Sequence, residues 1–195
     1  MKSKRGRPRT FNREATLSKA MQLYWEDGLD GLSINEVCRR IQISKPTLYR
    51  EFDGEDGLLE SVVELYTKQV ISAVGLHLEG DAAVYHKLNA LVDAMTTKTD
   101  SPMGCLLVDM RCTQWRLGPR AMASLHAVRE MMNQRYVRMV VEGQGRGEMR
   151  SDLDADVVAR FIDTQLTMIL LHMKVGKPPE EIRVEGKLAL SVLFT

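Results

Sequence analysis

The chain has 195 residues, 44% hydrophobic and 27% charged, the proportions of a globular protein with a sizeable core and not of a disordered chain. Its densest apolar stretch, 166–173, is interrupted by Thr167 and His172 and falls far short of the roughly 20 residues that span a bilayer, so no membrane role is expected. The net charge of +1 conceals an asymmetry: residues 1–52 carry 11 Lys/Arg against 6 Asp/Glu, and the remainder carries 16 against 20, so a polyanion such as nucleic acid suits the head alone.

Residues 1–10 hold Lys2, Lys4, Arg5, Arg7 and Arg9 with Gly6 and Pro8 and almost nothing to bury, which predicts a flexible basic arm. From Asn12, a plausible N-cap, Leu17, Ala20, Met21, Tyr24 and Trp25 recur at helical steps until Gly28 stops the pattern. Ser33 and Glu36 have capping-box spacing, in which hydroxyl and carboxylate each satisfy a free backbone N–H, and open a short helix to about Ile41. Ser44 is again a good N-cap, with Pro46 in the first turn, where its missing N–H costs nothing. The third helix therefore runs from Ser44 to about Phe52, and two short helices about three residues apart have the spacing of a helix-turn-helix.

Longer helices follow. Leu58, Val62, Leu65, Tyr66 and Val70 mark one from about Glu55 to Leu78, ended by Gly80 and Asp81. Val84 to Met95, Gly104 to Trp115, a stripe from Met122 to Met139 leading to the loop of Gly143, Gly145 and Gly147, Leu153 to Lys174, and Pro179 to Phe194 complete the set. No alternating strand pattern of convincing length is present, so the fold class is all-α with about nine helices.

The stretch Ala20-x-x-Leu23-Tyr24-x-x-x-Gly28-Leu29-x-x-Leu32-Ser33-Ile34-x-x-Val37, then Ile43-Ser44-Lys45-Pro46-Thr47-Leu48-Tyr49 and Phe52, resembles the TetR family of bacterial regulators. The resemblance covers about 40 residues, and the rest agrees in helix order and length. It implies a helix-turn-helix domain over 11–54 and a helical ligand-binding and dimerisation domain over 55–195, preceded by the arm. Two departures stand out. Gln42 replaces the usual turn Gly and must adopt or avoid a left-handed conformation, and Glu55 stands where many members have a phosphate-binding Lys.

On this reading double-stranded DNA is the partner, and the helix at Ser44 enters the major groove. Lys45, Thr47, Tyr49 and Arg50 are its exposed candidates, with Ser44 and Pro46 shaping its start and Ser33 holding a phosphate at a second helix N-terminus. Tyr49 has a competing reading as a packed aromatic, and Lys45 and Arg50 as solvated surface. Within the arm, Arg5-Gly6-Arg7-Pro8-Arg9 resembles an AT-hook core. It has two readings, insertion of Arg5, Arg7 and Arg9 into an A·T minor groove or non-specific attraction.

Ten of the twelve methionines lie between Met95 and Met173 on stripes that face the body's centre. They suit either an adaptable apolar pocket for a small-molecule effector or plain core packing. Met95, Leu106, Met110, Trp115, Leu125, Met132, Tyr136, Met168 and His172 are the pocket candidates. Cys105, near a helix N-terminus, is either an activated, electrophile-sensing thiol or a buried structural one. The last two helices, about 153–174 and 179–194, are apolar on more than one face, which points to a homodimer through a four-helix contact.

An enzyme is not expected. His77, His86, His126 and His172 form no HExxH motif, and His126 with Glu130 has the spacing of a surface pair as much as of a ligand pair. Neither a phosphate loop nor a nucleophile motif is present, and no cofactor or metal is implied. Cys38, Cys105 and Cys112 make no CxxC pair, and Asn12, Arg13 and Glu14 follow the basic start where an export signal needs an apolar run. A cytoplasmic location is the expectation.

Overall fold

The computed structural model describes residues 11–194. The first helix, α1 (Arg13–Asp27), starts where Asn12 Oδ1 accepts the Ala15 N–H at 2.9 Å and stops at Gly28, whose φ is 74°. In α2 (Ile34–Arg40) the Ser33 hydroxyl accepts the Glu36 N–H at 3.2 Å. Only that half of the expected capping box forms, because the Glu36 carboxylate turns to the Arg39 guanidinium and accepts two bonds from it.

The connection to α3 (Lys45–Phe52) does what a turn without glycine must: Gln42 takes φ 62°, and the Ile43 N–H reaches back to the Cys38 carbonyl at 3.0 Å. Ser44 then caps α3 by accepting the Thr47 N–H at 3.2 Å. A second left-handed residue, Asp53 with φ 60°, swings the chain into α4 (Gly54–Tyr66). A π-helical turn, Thr67–Ile71, passes directly into α5 (Ser72–Leu76), so these three make one rod. A π turn widens the helix by one residue and is common where a binding site is built.

The body adds α6 (Val84–Thr96), α7 (Leu106–Cys112), a 3-10 turn at Gln114–Arg116, α8 (Pro119–Gly145), α9 (Ala155–Lys174) and α10 (Pro179–Ser191). Counting the rod as one, the described residues form nine α-helices. Their only strand-like pairing is a lone antiparallel bridge from Met149 to Phe194. The expected helix over 104–115 is shorter because Gly104 sits at φ 82°, where a Cβ would press on Lys174 Cβ at 3.0 Å and the Leu170 carbonyl at 3.1 Å.

The rod organises the molecule. It packs on α1 and α3 at one end and on α8 along its length, while α6, α8, α9 and α10 pack on one another. One continuous apolar core therefore runs from Leu17 in α1 to Leu193 beyond α10.

Candidate functional site

The helix-turn-helix presents α3 outward. Leu48 and Phe52 are buried under it, whereas Lys45, Pro46, Tyr49 and Arg50 are exposed and Thr47 is half-buried. Tyr49 at 53% exposure is not a packed core aromatic. The Ser44 and Thr47 hydroxyls lie 2.8 Å apart at the helix start, beside Lys45. The cations of α2 and α3 are not equivalent. Arg39 pairs with Glu36, Arg40 with Asp27, and Arg50 with Glu51 at 2.8 Å, while Lys45 has no carboxylate partner among the described residues. Arg50 must exchange a partner to meet a phosphate; Lys45 need not. Ser33 is exposed, with its hydroxyl accepting from Glu36. Arg5, Arg7 and Arg9 lie outside the described residues.

Glu55 has a different task from the phosphate contact its position suggested. It stands 3.4 Å from the guanidinium of Arg116, which reaches from the 3-10 turn to donate to the Leu29 and Leu32 carbonyls, each at 3.1 Å. Arg116 thus bolts the body onto the α1–α2 turn. A second bolt lies nearby: Asp56 caps α8 by accepting the Arg120 and Ala121 N–H groups at 3.0 Å, and Arg120 pairs with Glu60 and Asp53. On the other side Lys174 of α9 donates to the Trp25 carbonyl at 2.9 Å and pairs with Asp109 at 2.9 Å.

Inside the body is a cavity of about 390 Å³, within the size range of small-molecule sites. Of the expected lining residues, Met95, Leu125, Met132 and Tyr136 face it. The other five do not. Leu106 and Met110 are fully buried in the core, on faces of α7 turned from the cavity. Trp115 is 71% exposed because α7 ends at Cys112 and the 3-10 turn redirects the chain. Met168 lies on the outward side of α9, and His172 is 4.0 Å from Glu185 outside the lining.

Residues not among the expected pocket candidates complete the wall. Tyr66, Gln69 and Val70 come from the end of α4 and the π turn, Arg111 from α7, and Asp163 and Thr167 from α9. Trp25 of α1 also lines the cavity. Its ring stands edge-on to Tyr66 at 4.9 Å, and its Nε1–H donates to the Gly104 carbonyl at 3.3 Å. The indole joins the first helix to a cavity formed by residues far along the chain, so no local pattern could reveal it.

Cys105 lines the cavity at the start of α7. Burial pushes its thiol above the usual range, and a hydrogen bond from Tyr66 only partly opposes that. Of the two readings of Cys105, this environment fits the buried thiol and not the activated one: losing water outweighs the helix dipole for a buried thiolate.

Two apolar stripes remain uncovered. Ile162, Leu166, Ile169, Ile182, Leu190 and Leu193 are used by the chain's own core, but Val157 and Met168 on α9 and Val184, Leu188 and Val192 on α10 are 42–68% exposed. Among the described residues no three or more His, Cys, Asp or Glu side chains are grouped to hold a metal ion, and no helix is long and apolar enough to cross a membrane.

Residues 17–62 match the family described as bacterial regulatory proteins, tetR family, and residues 84–184, more than half the chain, match the tetracyclin repressor-like C-terminal domain. The HTH-type transcriptional repressor ComR of Escherichia coli (strain K12) is 28% identical over 193 residues, covering 93% of this chain and 89% of ComR. The HTH-type transcriptional repressor DhaR of Mycobacterium sp. (strain GP1) is 23% identical, covering 89% and 88% respectively. Among solved structures, a cysteine-substituted TetR family transcriptional regulator CifR, complexed with 26-base-pair double-strand operator DNA, has a TM-score of 0.79 at 23% identity over 96% of this chain and 100% of that one. Reduced NemR from E. coli gives 0.79 at 14% identity, over 94% and 97%. With its exposed α3 and both halves matched, the chain belongs to the tetR family of bacterial regulatory proteins, which are DNA-binding transcription regulators and not enzymes.

Proposed function

We propose that the chain is a cytoplasmic homodimeric repressor that grips a roughly palindromic operator through α3 and releases it when a small, largely apolar molecule enters the cavity. The observation that carries this reading is the place of Trp25: one side chain of the DNA-facing head forms part of the cavity wall. A ligand that displaces the indole acts on α1 directly, and a conformational change needs such a difference in contacts between two states.

On DNA, Lys45, Thr47 and Tyr49 meet bases and phosphates, Arg50 exchanges Glu51 for a phosphate, and the helix start at Ser33 holds another. Residues 11–54 serve as the DNA-binding domain and 55–195 as the ligand-binding and dimerisation domain. The arginine-rich arm of residues 1–10 extends the footprint, and its deletion distinguishes minor-groove reading from general attraction by whether the loss depends on A·T content. The uncovered stripes of α9 and α10 pair about a two-fold axis, since a helix face with several exposed Val and Leu residues is unfavourable in water.

The test combines thermal shift against a metabolite panel with fluorescence anisotropy of labelled operator. Compounds that raise the melting temperature should also release the DNA; compounds that stabilise the protein and leave DNA affinity unchanged overturn the sensor reading. Light scattering at micromolar concentration should give twice the 22.1 kDa chain mass, and a monomer alone defeats the dimer. Buried Cys105 lends no support to a thiol-based sensor.

A further inference from the structure

One part of the cavity wall groups Tyr136, Arg111, Asp163 and Thr167, and its donors are largely unspent. Tyr136 is only 4% exposed and lines the cavity, yet its hydroxyl makes no hydrogen bond to any of the described residues. A buried hydroxyl normally finds a partner. Across from it, Arg111 donates to Thr167 Oγ1 at 3.4 Å, a weak bond, and stands 3.6 Å from Asp163 Oδ2, too far for a good one. A guanidinium has five N–H donors, so most of this one's capacity is free. Burial and the Asp163 charge hold Tyr136 protonated, leaving its O–H a donor. Trp25, Tyr66, Met132 and Met173 make much of the remaining wall apolar and aromatic, with the exposed Arg129 also in it.

We infer that the effector is an uncharged, mainly apolar molecule bearing one carbonyl-type oxygen, which accepts hydrogen bonds from the Tyr136 hydroxyl and the Arg111 guanidinium. This rests on the ligand reading of the cavity above. Tyr136 and Arg111 supply O–H and N–H donors, so a ligand atom that meets both is an acceptor. Asp163 already counters the Arg111 charge, so a carboxylate held at this pair of donors would give up its hydration without meeting an uncompensated cation there, an unfavourable exchange. A neutral oxygen gives up less water and fills the same two donors.

The test uses the full chain carrying Trp115→Phe. Trp115 is 71% exposed and the chain has two tryptophans, so Trp25 becomes the sole indole and its fluorescence reports the cavity. Benzylacetone, hydrocinnamate and butylbenzene are titrated as matched ketone, carboxylate and hydrocarbon, with and without Tyr136→Phe, which removes only the hydroxyl. Benzylacetone should bind more tightly than hydrocinnamate. Tyr136→Phe should weaken benzylacetone roughly fivefold, the effect of one hydrogen bond, while changing butylbenzene less than about twofold. Equal or tighter binding of hydrocinnamate overturns the inference, as does equal weakening of ketone and hydrocarbon, or no binding by any of the three. Operator release is read separately: ketone binding that depends on Tyr136 but leaves DNA bound upholds the ligand class and refutes the sensor reading, whereas release by ketone and hydrocarbon alike, unaffected by Tyr136→Phe, does the reverse.

Discussion

Replacing Arg116 by Met should loosen the head from the body by a calculable amount. Methionine keeps an unbranched apolar stem and removes the guanidinium, which donates to the Leu29 and Leu32 carbonyls at 3.1 Å and pairs with Glu55 at 3.4 Å. Each carbonyl bond from a charged donor contributes about 1 kcal/mol net in a half-buried site. The Glu55 pair, with both side chains about a third exposed, adds about 0.5 kcal/mol after solvent screening. The expected loss is about 2–3 kcal/mol, and for a chain of this length each kcal/mol lowers the melting temperature by about 2–4 °C, giving roughly 5–10 °C. Calorimetry at a fixed protomer concentration measures it, because a dimer's melting temperature depends on concentration. Trp115→Ala, next in the chain but exposed, is the control and should leave the melting temperature unchanged. A shift under about 2 °C for Arg116→Met would refute the bolt.

Three further expectations follow from particular residues. Gln42→Gly should stabilise the protein by about 0.5–1 kcal/mol, since relief of a left-handed non-glycine residue at φ 62° exceeds the entropy glycine adds to the unfolded chain; urea melts decide, and destabilisation contradicts it. Lys45→Ala should weaken operator binding and lower the salt slope by about one ion, whereas Tyr49→Ala should cost about 1–3 kcal/mol of operator affinity, both without altering the thermal melt. Glu148 is held below the ordinary carboxylate value of 4.5 by its bond from Arg146 and by the Val84 N–H at 2.8 Å. A depressed carboxylate contributes stability above its unfolded value and loses it as pH falls through the folded one, so Glu148→Gln should flatten the acid limb of the stability profile, and an unchanged limb would contradict this.

The framework of α1 to α3 was legible because its signals are local. Asn12, Ser33 and Ser44 cap their helices where expected, Pro46 lies in the first turn of α3, and Gly28 ends α1. Gln42 was legible as the residue on which the turn depends, with two outcomes open, and the structure takes the left-handed one at φ 62°. The capping box failed on its second half because Arg39 competes for Glu36. In the body, periodicity identified apolar faces but not which of them borders empty space. Leu106 and Met95 both occupy apolar positions, yet only Met95 lines the cavity. Trp115 was misplaced by extending a helical repeat beyond Cys112, where the 3-10 turn breaks it. Trp25, Arg111 and the π turn escaped notice since their roles depend on partners many residues away.

Selection of bound duplexes from a random DNA pool by the purified full chain, repeated with Lys45→Ala and Tyr49→Ala, tests most directly whether α3 reads an operator as part of a dimer. The enriched sequences should share an approximate inverted repeat bound at least roughly a thousandfold more tightly than unrelated duplex; Tyr49→Ala should reduce that preference and Lys45→Ala should weaken binding to all duplexes alike, both while melting normally. Enrichment of no symmetric sequence, or of the same one by both variants with undiminished affinity, would contradict it.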